Sequence, residues 1–455
     1  MSNSLSIRSN LSGRLRRHAV AASLIVLFCS TSVRSFLAWR ADPVEMVNGA
    51  IPDSTTYLTP AYNFLAKGSF LDATGRPEIA RTPGYPAFLA AIMLGAGSDL
   101  RTILITQAII LSFSVVILYW LARRILPPAM AFTGALLAAF SPWGAVLAGL
   151  PLADGLFLFL LCLIFLAMKL TDATYFPWLA LGGASTGIIT GAAVLVRPFW
   201  PLVILVPGAL FYCYGIKRKG AWILLIATIT CATAPVVLWK ERNQREAHFN
   251  GLSDIPGKTV WRYLASRVKA QIDGGRQDRF TIENAAILDD RSWGLSVQEA
   301  DNERWRRAKA LFREHPFLTV SSFAGSAAEH IIHPSPDVLT PAKLNFYGDY
   351  LSLALLWAGL LTFTCVGWRC VPDPDWDDGE INRRWLLTLL MICMVLVLSS
   401  GISFGTGSRL RAPMEAIVPL LAAVGLVRSI RVFSCIFSAY KARKNAAFVA
   451  QVNRN

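Results

Sequence analysis

Long apolar stretches that alternate with short polar segments constrain the fold of this chain more than any other feature. A transmembrane helix needs about 20 consecutive, mostly apolar residues, and stretches of about that length recur along the 455 residues. They lie at roughly 19–38, 101–121, 128–149, 152–169, 176–196, 199–215, 220–239, 348–367, 385–403 and 411–428. Only 16% of the residues are charged, whereas a soluble domain has about a quarter. The sequence therefore predicts an all-α polytopic membrane protein with about ten transmembrane helices.

Clusters of basic residues predict the orientation of the chain in the membrane. Lys and Arg gather between the apolar stretches, so the net charge of +15 indicates the positive-inside pattern rather than nucleic-acid binding. The clusters all fall in the cytoplasm if both termini lie there. We therefore expect a cytoplasmic N-terminus at 1–18, a membrane domain at 19–430 and a basic cytoplasmic tail at 431–455. The first stretch is longer than a signal-peptide core and has no clear cleavage site, which favours a membrane helix.

Two long polar segments, at roughly 39–100 and 240–347, are then predicted to face outward. The first contains a helical pattern that ends at Gly68, and the second contains an amphipathic pattern at roughly 297–314. We expect both patterns to form helices that lie along the membrane surface.

The stretch at 317–334 is apolar but carries His330 and His333. Counting it as a span would reverse the orientation of everything after it, so we expect an interfacial or re-entrant segment. No acid or cysteine at ligand spacing accompanies the two histidines apart from the neighbouring Glu329, which disfavours a metal site. The eight cysteines lie in or beside apolar stretches, and their spacing predicts packing roles rather than disulfides or metal ligands.

The polar residues with the clearest chemical potential lie in the first outer segment. Asp53 follows the first span, and a carboxylate at the membrane surface can accept a proton from an attacking hydroxyl; the alternative is a helix N-cap. If the helix began at Pro60, Asp53 would be free of that role. Arg81 opens the turn Arg81–Pro86, whose two prolines and glycine would fix the direction of the cation. Its guanidinium suits a phosphate; the alternative is an arginine that snorkels to lipid headgroups.

Further candidates lie at the outer ends of later spans. Asp154 is a second candidate acid, or a helix cap favoured by the helix dipole. Arg197, Arg409 and Arg411 are cations on the outer side, against the positive-inside trend. They are candidates for binding an anionic substrate, with generic contact to lipid phosphates as the alternative.

Two other classes of protein remain as alternatives to an enzyme that uses these groups. A transporter of lipid-linked oligosaccharides would need charges within its spans, and the central portions of the spans read as nearly free of charge. A polymerase or ligase of surface polysaccharide would share the chemistry and differ in its oligosaccharide donor.

Five stretches in this order resemble the GT-C superfamily of polytopic glycosyltransferases. The nearest branch is similar to the dolichyl-phosphate-mannose protein mannosyltransferases and their bacterial relatives, including the lipid A aminoarabinose transferase and the Rgt-type transferases. The resemblance covers roughly residues 19–430. The five stretches are Pro52-Asp53-Ser54 with Tyr57, Ala61 and Gly68; Arg81 to Pro86 with Tyr85; Asp154 to Phe157; Trp239 with Arg242-Asn243; and Arg409 to Pro413.

The resemblance implies a sugar donor on a polyprenyl phosphate, an acceptor that is a glycan, lipid or protein, and inversion at the anomeric carbon. Asp53 would be the base and Arg81 would hold the leaving phosphate, with Asp154 as a second catalytic acid. Tyr57, Tyr85, Arg242 and the outer arginines would bind substrate. The active site would face outward from the bacterial inner membrane. Such a reaction requires no nucleotide or redox cofactor, and the sequence leaves a divalent metal open.

Overall fold

The computed structural model describes residues 2–45, 53–171, 176–214, 220–274, 279–332, 354, 357–358, 379–403 and 407–452. Within these ranges the secondary structure is helical, and no β-strand forms; an isolated bridge pairs Leu71 with Pro77. The all-α fold predicted from the sequence is confirmed.

Most of the helices in the first half of the described chain belong to the membrane part. They are α1 (Ser2–Arg40), α2 (Pro43–Glu45), α3 (Asp53–Lys67), α4 (Gly84–Ala96), α5 (Leu100–Ala122), α6 (Pro128–Ala139), α7 (Pro142–Gly149), α8 (Ala153–Leu170), α9 (Phe176–Val196), α10 (Leu202–Tyr214) and α11 (Ala221–Ala247).

The second half of the described chain holds the helices of the long polar segment, followed by the last membrane helices. They are α12 (Ile255–Thr259), a π-helical turn (Val260–Ala265), α13 (Ser266–Ile272), α14 (Arg279–Ser292), α15 (Val297–Glu314), α16 (Pro316–Ile332), α17 (Gly379–Ser399), two 3-10 segments (Ser400–Ile402 and Gly407–Ala416) and α18 (Val418–Val452).

Six of the described helices are long and apolar enough to cross a membrane, and eight spans result if each of two bent pairs counts as one. The six lie in α1, α5, α8, α9, α11 and α17, where the sequence predicted spans. The chain is therefore a multi-pass membrane protein. The expected count of ten is not confirmed, because α10 has only 13 residues and the expected span at 348–367 lies outside the described residues except for 354 and 357–358.

Two stretches predicted as single spans are broken. The axes of α6 and α7 differ by 53°, and those of Leu410–Ala416 and Val418–Ile430 differ by 48°. The first break has a local cause: Ser141 accepts a hydrogen bond from Gly144 N, and Pro142 occupies the first turn, so a new helix starts there. Breaks of this kind are tolerated in a membrane where they are buried in protein.

Helices α9 and α11 pack closely because three glycines of α9 line the contact. Gly183, Gly187 and Gly191 recur every four residues and so share one face. A methyl group on Gly187 would lie 2.5 Å from the carbonyl oxygen of Thr228, and one on Gly191 would lie 2.8 Å from that of Ala232. Any larger residue at these two positions would force the helices apart.

The first outer segment is more helical than the sequence indicated. Helix α3 ends where it was predicted to end, with Gly68 at φ +70°. It begins at Asp53, however, so the alternative start at Pro60 is wrong and Pro60 lies inside the helix. Helix α4 was not predicted; its apolar side chains, including Leu89 and Met93, are buried in the main core.

The long outer segment folds into a small helical layer. The predicted amphipathic helix is confirmed as α15, and its start carries a capping box between Ser296 and Glu299. The layer has its own apolar core around Trp261 and Ala308. Helix α16 covers the expected interfacial stretch as far as Ile332, and His333 lies outside the described residues. That the two predicted outer helices lie along the membrane surface stays a prediction.

Candidate active site

Asp53 and Arg81 form an ion pair. Asp53 stands in the first turn of α3, and its Oδ1 accepts a hydrogen bond from Arg81 Nη2 at 2.7 Å. Arg81 Nε donates to Thr56 Oγ1 at 2.8 Å, so two residues of the same helical turn hold the guanidinium. The Arg81 side chain is 13% exposed and that of Asp53 is 40% exposed. The carboxylate therefore faces solvent while the cation is largely enclosed.

The Arg81 guanidinium packs against an aromatic ring, which in turn contacts a second one. The guanidinium stands 4.4 Å from the centre of the Tyr57 ring, and its Nη1 donates to the Tyr57 hydroxyl at 3.2 Å. Tyr85 meets Tyr57 edge to face with 5.1 Å between ring centres. The Tyr85 hydroxyl donates to the buried amide of Gln107 at 2.6 Å. Of the two predicted tyrosines, Tyr57 therefore contacts Arg81 directly, whereas Tyr85 contacts Tyr57.

Glu78, which the sequence analysis did not single out, holds the backbone of Arg81. Its Oε1 accepts the N–H groups of Ala80 at 2.6 Å and Arg81 at 2.9 Å. Burial raises the pKa of the Glu78 carboxyl above its ordinary value, and the two N–H groups oppose that shift. One sequence signal could have identified Glu78: it is an acid three residues before the candidate arginine, and at that spacing a side chain can reach the backbone of a turn.

Arg242 also contacts the segment that carries Arg81. It extends from near the C-terminal end of α11 and donates to the carbonyl oxygens of Glu78 at 2.6 Å and Phe70 at 2.9 Å, while its Nε pairs with Glu246 at 2.8 Å. The guanidinium lies over the Trp239 ring at 4.6 Å. These contacts fasten the loop to the helix, and the expected role of Arg242 in binding substrate stays a prediction.

Asp154 and Arg197 form a second ion pair of the same composition. Asp154 lies in the first turn of α8 and is 1% exposed; its Oδ1 accepts from Arg197 Nη1. Arg197 follows α9, and its guanidinium stands 5.9 Å from the Phe157 ring centre. A buried carboxylate needs such a partner. The structure therefore brings together two candidates that lie 43 residues apart in the sequence.

The turn Arg81–Pro86 connects the two ion pairs. A methyl group on Gly84 would lie 2.7 Å from backbone atoms of Leu195 and Val196, so the turn touches the end of α9 directly before Arg197. On its other side, Tyr85 is close enough to Asp154 for the two to interact electrostatically. Two carboxylate–arginine pairs thus flank one rigid turn.

The remaining predicted arginines lie on the second bent pair. Arg411 is 2% exposed, and its guanidinium stands 5.5 Å from the Trp143 ring centre in α7. Arg409 belongs to the same 3-10 segment, Gly407–Ala416, and its side chain lies outside the described part of the structure. The structure therefore places Arg411 in the protein interior.

Among the described residues, no group of three or more His, Cys, Asp or Glu side chains is arranged to hold a metal ion. His330 is buried, and its Nε2 lies 3.2 Å from the carbonyl oxygen of Ser400 and 2.9 Å from that of Ser403. His330 thereby connects α16 to residues Ser400 and Ser403, which follow the C-terminal end of α17.

The spans are less free of charge than the sequence analysis expected. Arg34 lies inside the first span and is 3% exposed, and Glu415 lies at the second break. Gln107, another buried polar residue that the sequence analysis missed, donates to the carbonyl oxygens of Ala148 and Leu150, just before Asp154. A polar side chain within an apolar stretch was the signal available for Arg34 and Gln107.

Comparison with known proteins identifies the fold. No profile of a known protein family matches the sequence, and no curated protein sequence matches it significantly. The structure is similar to that of the archaeal oligosaccharyltransferase AglB from Archaeoglobus fulgidus in complex with an inhibitory peptide and a dolichol-phosphate. That match has a TM-score of 0.53 and 12% sequence identity, and it covers 95% of this chain and 52% of AglB.

Two further solved structures are similar to this chain. The apo form of the A. fulgidus oligosaccharyltransferase matches with a TM-score of 0.50 and 12% identity over 93% of this chain and 52% of that one. ArnT from Cupriavidus metallidurans bound to undecaprenyl phosphate has a TM-score of 0.38 and 13% identity over 90% of this chain and 77% of ArnT. The chain thus spans about half the length of the oligosaccharyltransferase it matches. The likeness is one of fold: the expected polytopic helical architecture is shared with this oligosaccharyltransferase.

Proposed function

We propose that this protein is a membrane glycosyltransferase that moves a sugar from a polyprenyl phosphate to a glycan, lipid or protein acceptor. The observation that carries the proposal is the contact between Asp53 and Arg81, which places a solvent-facing carboxylate beside an enclosed cation. The fold supports it, because the similar AglB structure holds a dolichol-phosphate. We place the site on the extracytoplasmic face of a bacterial inner membrane.

The two groups of the pair divide the reaction between them. The acceptor hydroxyl loses its proton to Asp53 as its oxygen attacks the anomeric carbon from the face opposite the phosphate. The bond between that carbon and the phosphate oxygen breaks, the phosphate keeps the electron pair, and the anomeric carbon inverts. Arg81 neutralises the charge that develops on the phosphate. Phosphate binding to Arg81 competes with the ion pair and so releases Asp53 for proton transfer.

The second ion pair extends the site. Asp154 is buried beneath Arg197, whose side chain is 27% exposed at the end of α9. We assign Arg197 to binding of the negatively charged part of the donor. Asp154 contributes to catalysis indirectly, because it holds Arg197 in place and adds negative charge close to Tyr85. Arg409 would add a further cation for the donor, whereas Arg411 is buried and would act on a donor phosphate only from the protein interior. The lipid phosphate is itself a good leaving group, so the scheme needs no nucleotide or redox cofactor.

Transfer of radiolabelled sugar from polyprenyl phosphate by membranes that contain wild type or Asp53→Asn tests the proposal. The substitution keeps the size of the side chain and removes the base, so we expect transfer by wild type and loss of about 100-fold or more in the variant. Asp99→Asn is the matched control, because Asp99 is a helix N-cap and Asn caps helices as well as Asp does. Equal transfer by wild type and Asp53→Asn would contradict the assignment of the base.

A transporter of lipid-linked oligosaccharides remains the second candidate, because Arg34 and Glu415 are charges within the membrane part. The same labelled lipid separates the two functions. A transporter would move the intact lipid-linked sugar across a vesicle membrane without forming a new glycosidic bond. An enzyme would release free polyprenyl phosphate in proportion to the product.

A further inference from the structure

Three successive carbonyl oxygens directly before Arg81 each accept a hydrogen bond from the second polar segment. The pairs are Glu78 O with Arg242 Nη1 at 2.6 Å, Ile79 O with the N–H of Asp254 at 3.2 Å, and Ala80 O with Ser253 Oγ at 2.6 Å. The Ser253 contact joins residues that lie 173 positions apart, so it forms only where the two polar segments are docked on one another. The second polar segment therefore holds the backbone that carries Arg81.

The Ser253 hydroxyl is directed toward Ala80 by a second hydrogen bond. Its Oγ accepts from the N–H of Ile255 at 3.1 Å, which leaves the hydroxyl hydrogen to point at the carbonyl oxygen of Ala80. Ser253 is buried, and a hydrogen bond shielded from solvent is electrostatically stronger than the same bond in water. The contact with Ala80 is thus a specific attachment rather than a chance surface contact.

Asn243 fixes the loop that presents these donors. The residue is buried, and its Nδ2 donates to the carbonyl oxygens of Gly251 at 2.9 Å and Leu252 at 3.2 Å. Its Oδ1 accepts at 3.1 Å from Nη1 of Arg242, the same nitrogen that donates to Glu78 O. One amide therefore connects the end of α11, the loop that follows it and the guanidinium that holds the first polar segment.

We propose that Asn243 and Ser253 are positioning residues for Arg81, because they hold the backbone of residues 78–80 and so give the guanidinium its direction toward a donor phosphate. The phosphate rests on the proposed function, whereas the docking of the two polar segments stands on the contacts themselves. Loss of either residue leaves the cation to be ordered when the donor binds, which weakens binding. Bound phosphate restores the position of the guanidinium, so the chemical step itself changes little.

Hydrogen–deuterium exchange of the full-length protein in detergent tests the docking without any substrate. The N–H groups of Ala80 and Arg81 donate to the Glu78 carboxylate, so their exchange reports how well this backbone is ordered. Release from the second polar segment should speed exchange by about tenfold in peptides that cover 78–82. Helix α5 should exchange as in wild type.

Two variants release the backbone by different routes. Ser253→Ala removes the donor to Ala80 with the smallest change of shape. Asn243→Asp keeps the size of the side chain and replaces its donor by an oxygen that faces two carbonyl oxygens. Ser266→Ala is the matched control, because Ser266 Oγ likewise donates to a backbone carbonyl of the second polar segment, that of Trp261 at 2.8 Å. Unchanged exchange at 78–82 in both test variants, or an equal effect of the control, would overturn the proposal.

A kinetic measurement addresses the role of Arg81. In the transfer assay, both test variants should raise KM for the polyprenyl-phosphate donor about fivefold or more, and should change kcat and KM for the acceptor by less than about twofold. Damage to the whole fold would alter all three constants. A loss confined to kcat, or equal rises in the two KM values, would refute the positioning role. If wild type shows no transfer, the proposed function fails, whereas the exchange data still decide whether the second polar segment holds the Arg81 backbone.

Discussion

At the scale of single residues, Arg81 is restrained at both its side chain and its backbone. Asp53, Thr56 and Tyr57 accept hydrogen bonds from the guanidinium, and Glu78 accepts one from the Arg81 N–H. A hydrogen bond to a charged partner contributes about 1.5–3 kcal/mol. Such preorganisation is what electrostatic catalysis requires, because a cation already in place needs no reorganisation when charge develops.

Glu78→Ala should weaken donor binding. The change removes the acceptor for two N–H groups and leaves them unsatisfied beside a buried site, so the Arg81 turn loses its fixed direction. We expect a rise of about tenfold in KM for the polyprenyl-phosphate donor. Asp72→Ala is the matched control, because Asp72 Oδ1 likewise accepts two backbone N–H groups, those of Thr74 and Arg76, away from Arg81. Equal effects of the two variants would refute the positioning role of Glu78.

Asp301 should make the stability of the outer helical layer depend on pH. Burial raises the pKa of its carboxyl to about 6 from 3.8, with partial opposition from Arg304. Because the folded-state pKa lies above the unfolded-state value, ionised Asp301 destabilises the fold, and this destabilisation develops between about pH 4 and pH 6. Asp301→Asn should therefore melt at a higher temperature than wild type at pH 7.5.

The difference between Asp301→Asn and wild type should shrink as the pH falls and vanish below about pH 4. Thermal unfolding in detergent at pH 4.5 and pH 7.5 measures it. A constant difference between the two pH values would show that the carboxyl charge is not its cause.

At the scale of helices, the sequence predicted those elements whose signals are local. The end of α3 at Gly68 and the span of α15 depend on a glycine and on amphipathic spacing, and both were correct. Helix α4 was missed because an apolar run of 13 residues is too short to span a membrane. The bends arise where a second helix starts within one apolar stretch, as at Ser141, and hydropathy alone does not register such a start.

Gly84→Ala should separate the Arg81 turn from the end of α9. The added methyl would lie 2.7 Å from backbone atoms of Leu195 and Val196, which cannot rotate away. We expect a loss of about 1–3 kcal/mol in stability, together with reduced transfer, because the turn moves relative to Arg197. Thermal unfolding in detergent and the transfer assay measure the two effects.

Gly95→Ala is the matched control in the same helix, since nothing lies within 4 Å of a methyl group there. Its stability should stay at wild-type level or rise slightly, because Ala favours helices over Gly. If Gly84→Ala behaved like Gly95→Ala, the contact between the turn and α9 would not be needed for the site.

At the scale of the whole molecule, the sequence identified the members of the site but not their pairing. Asp53, Arg81, Asp154 and Arg197 were all candidates, yet an ion pair over 28 or 43 residues depends on how the helices pack. Short-range spacing carries no such information. The same limit explains why Arg34 was overlooked: its hydrogen-bond partners lie on another helix, so within its own span it is a lone charged residue.

The proposed position of the site on the outer surface requires a specific orientation of the whole chain. Arg76 is exposed in the first polar segment, which precedes the N-terminal end of α5. Arg124 is exposed just beyond the C-terminal end of α5. With Cys at either position, a membrane-impermeant maleimide added to intact cells should label Arg76→Cys and leave Arg124→Cys unlabelled, and permeabilised cells should show label at both. Wild type controls for the native cysteines, which lie in or beside apolar stretches. The reverse pattern would place Asp53 and Arg81 in the cytoplasm, where the acceptor and the donor lipid would both have to be presented from the inner leaflet.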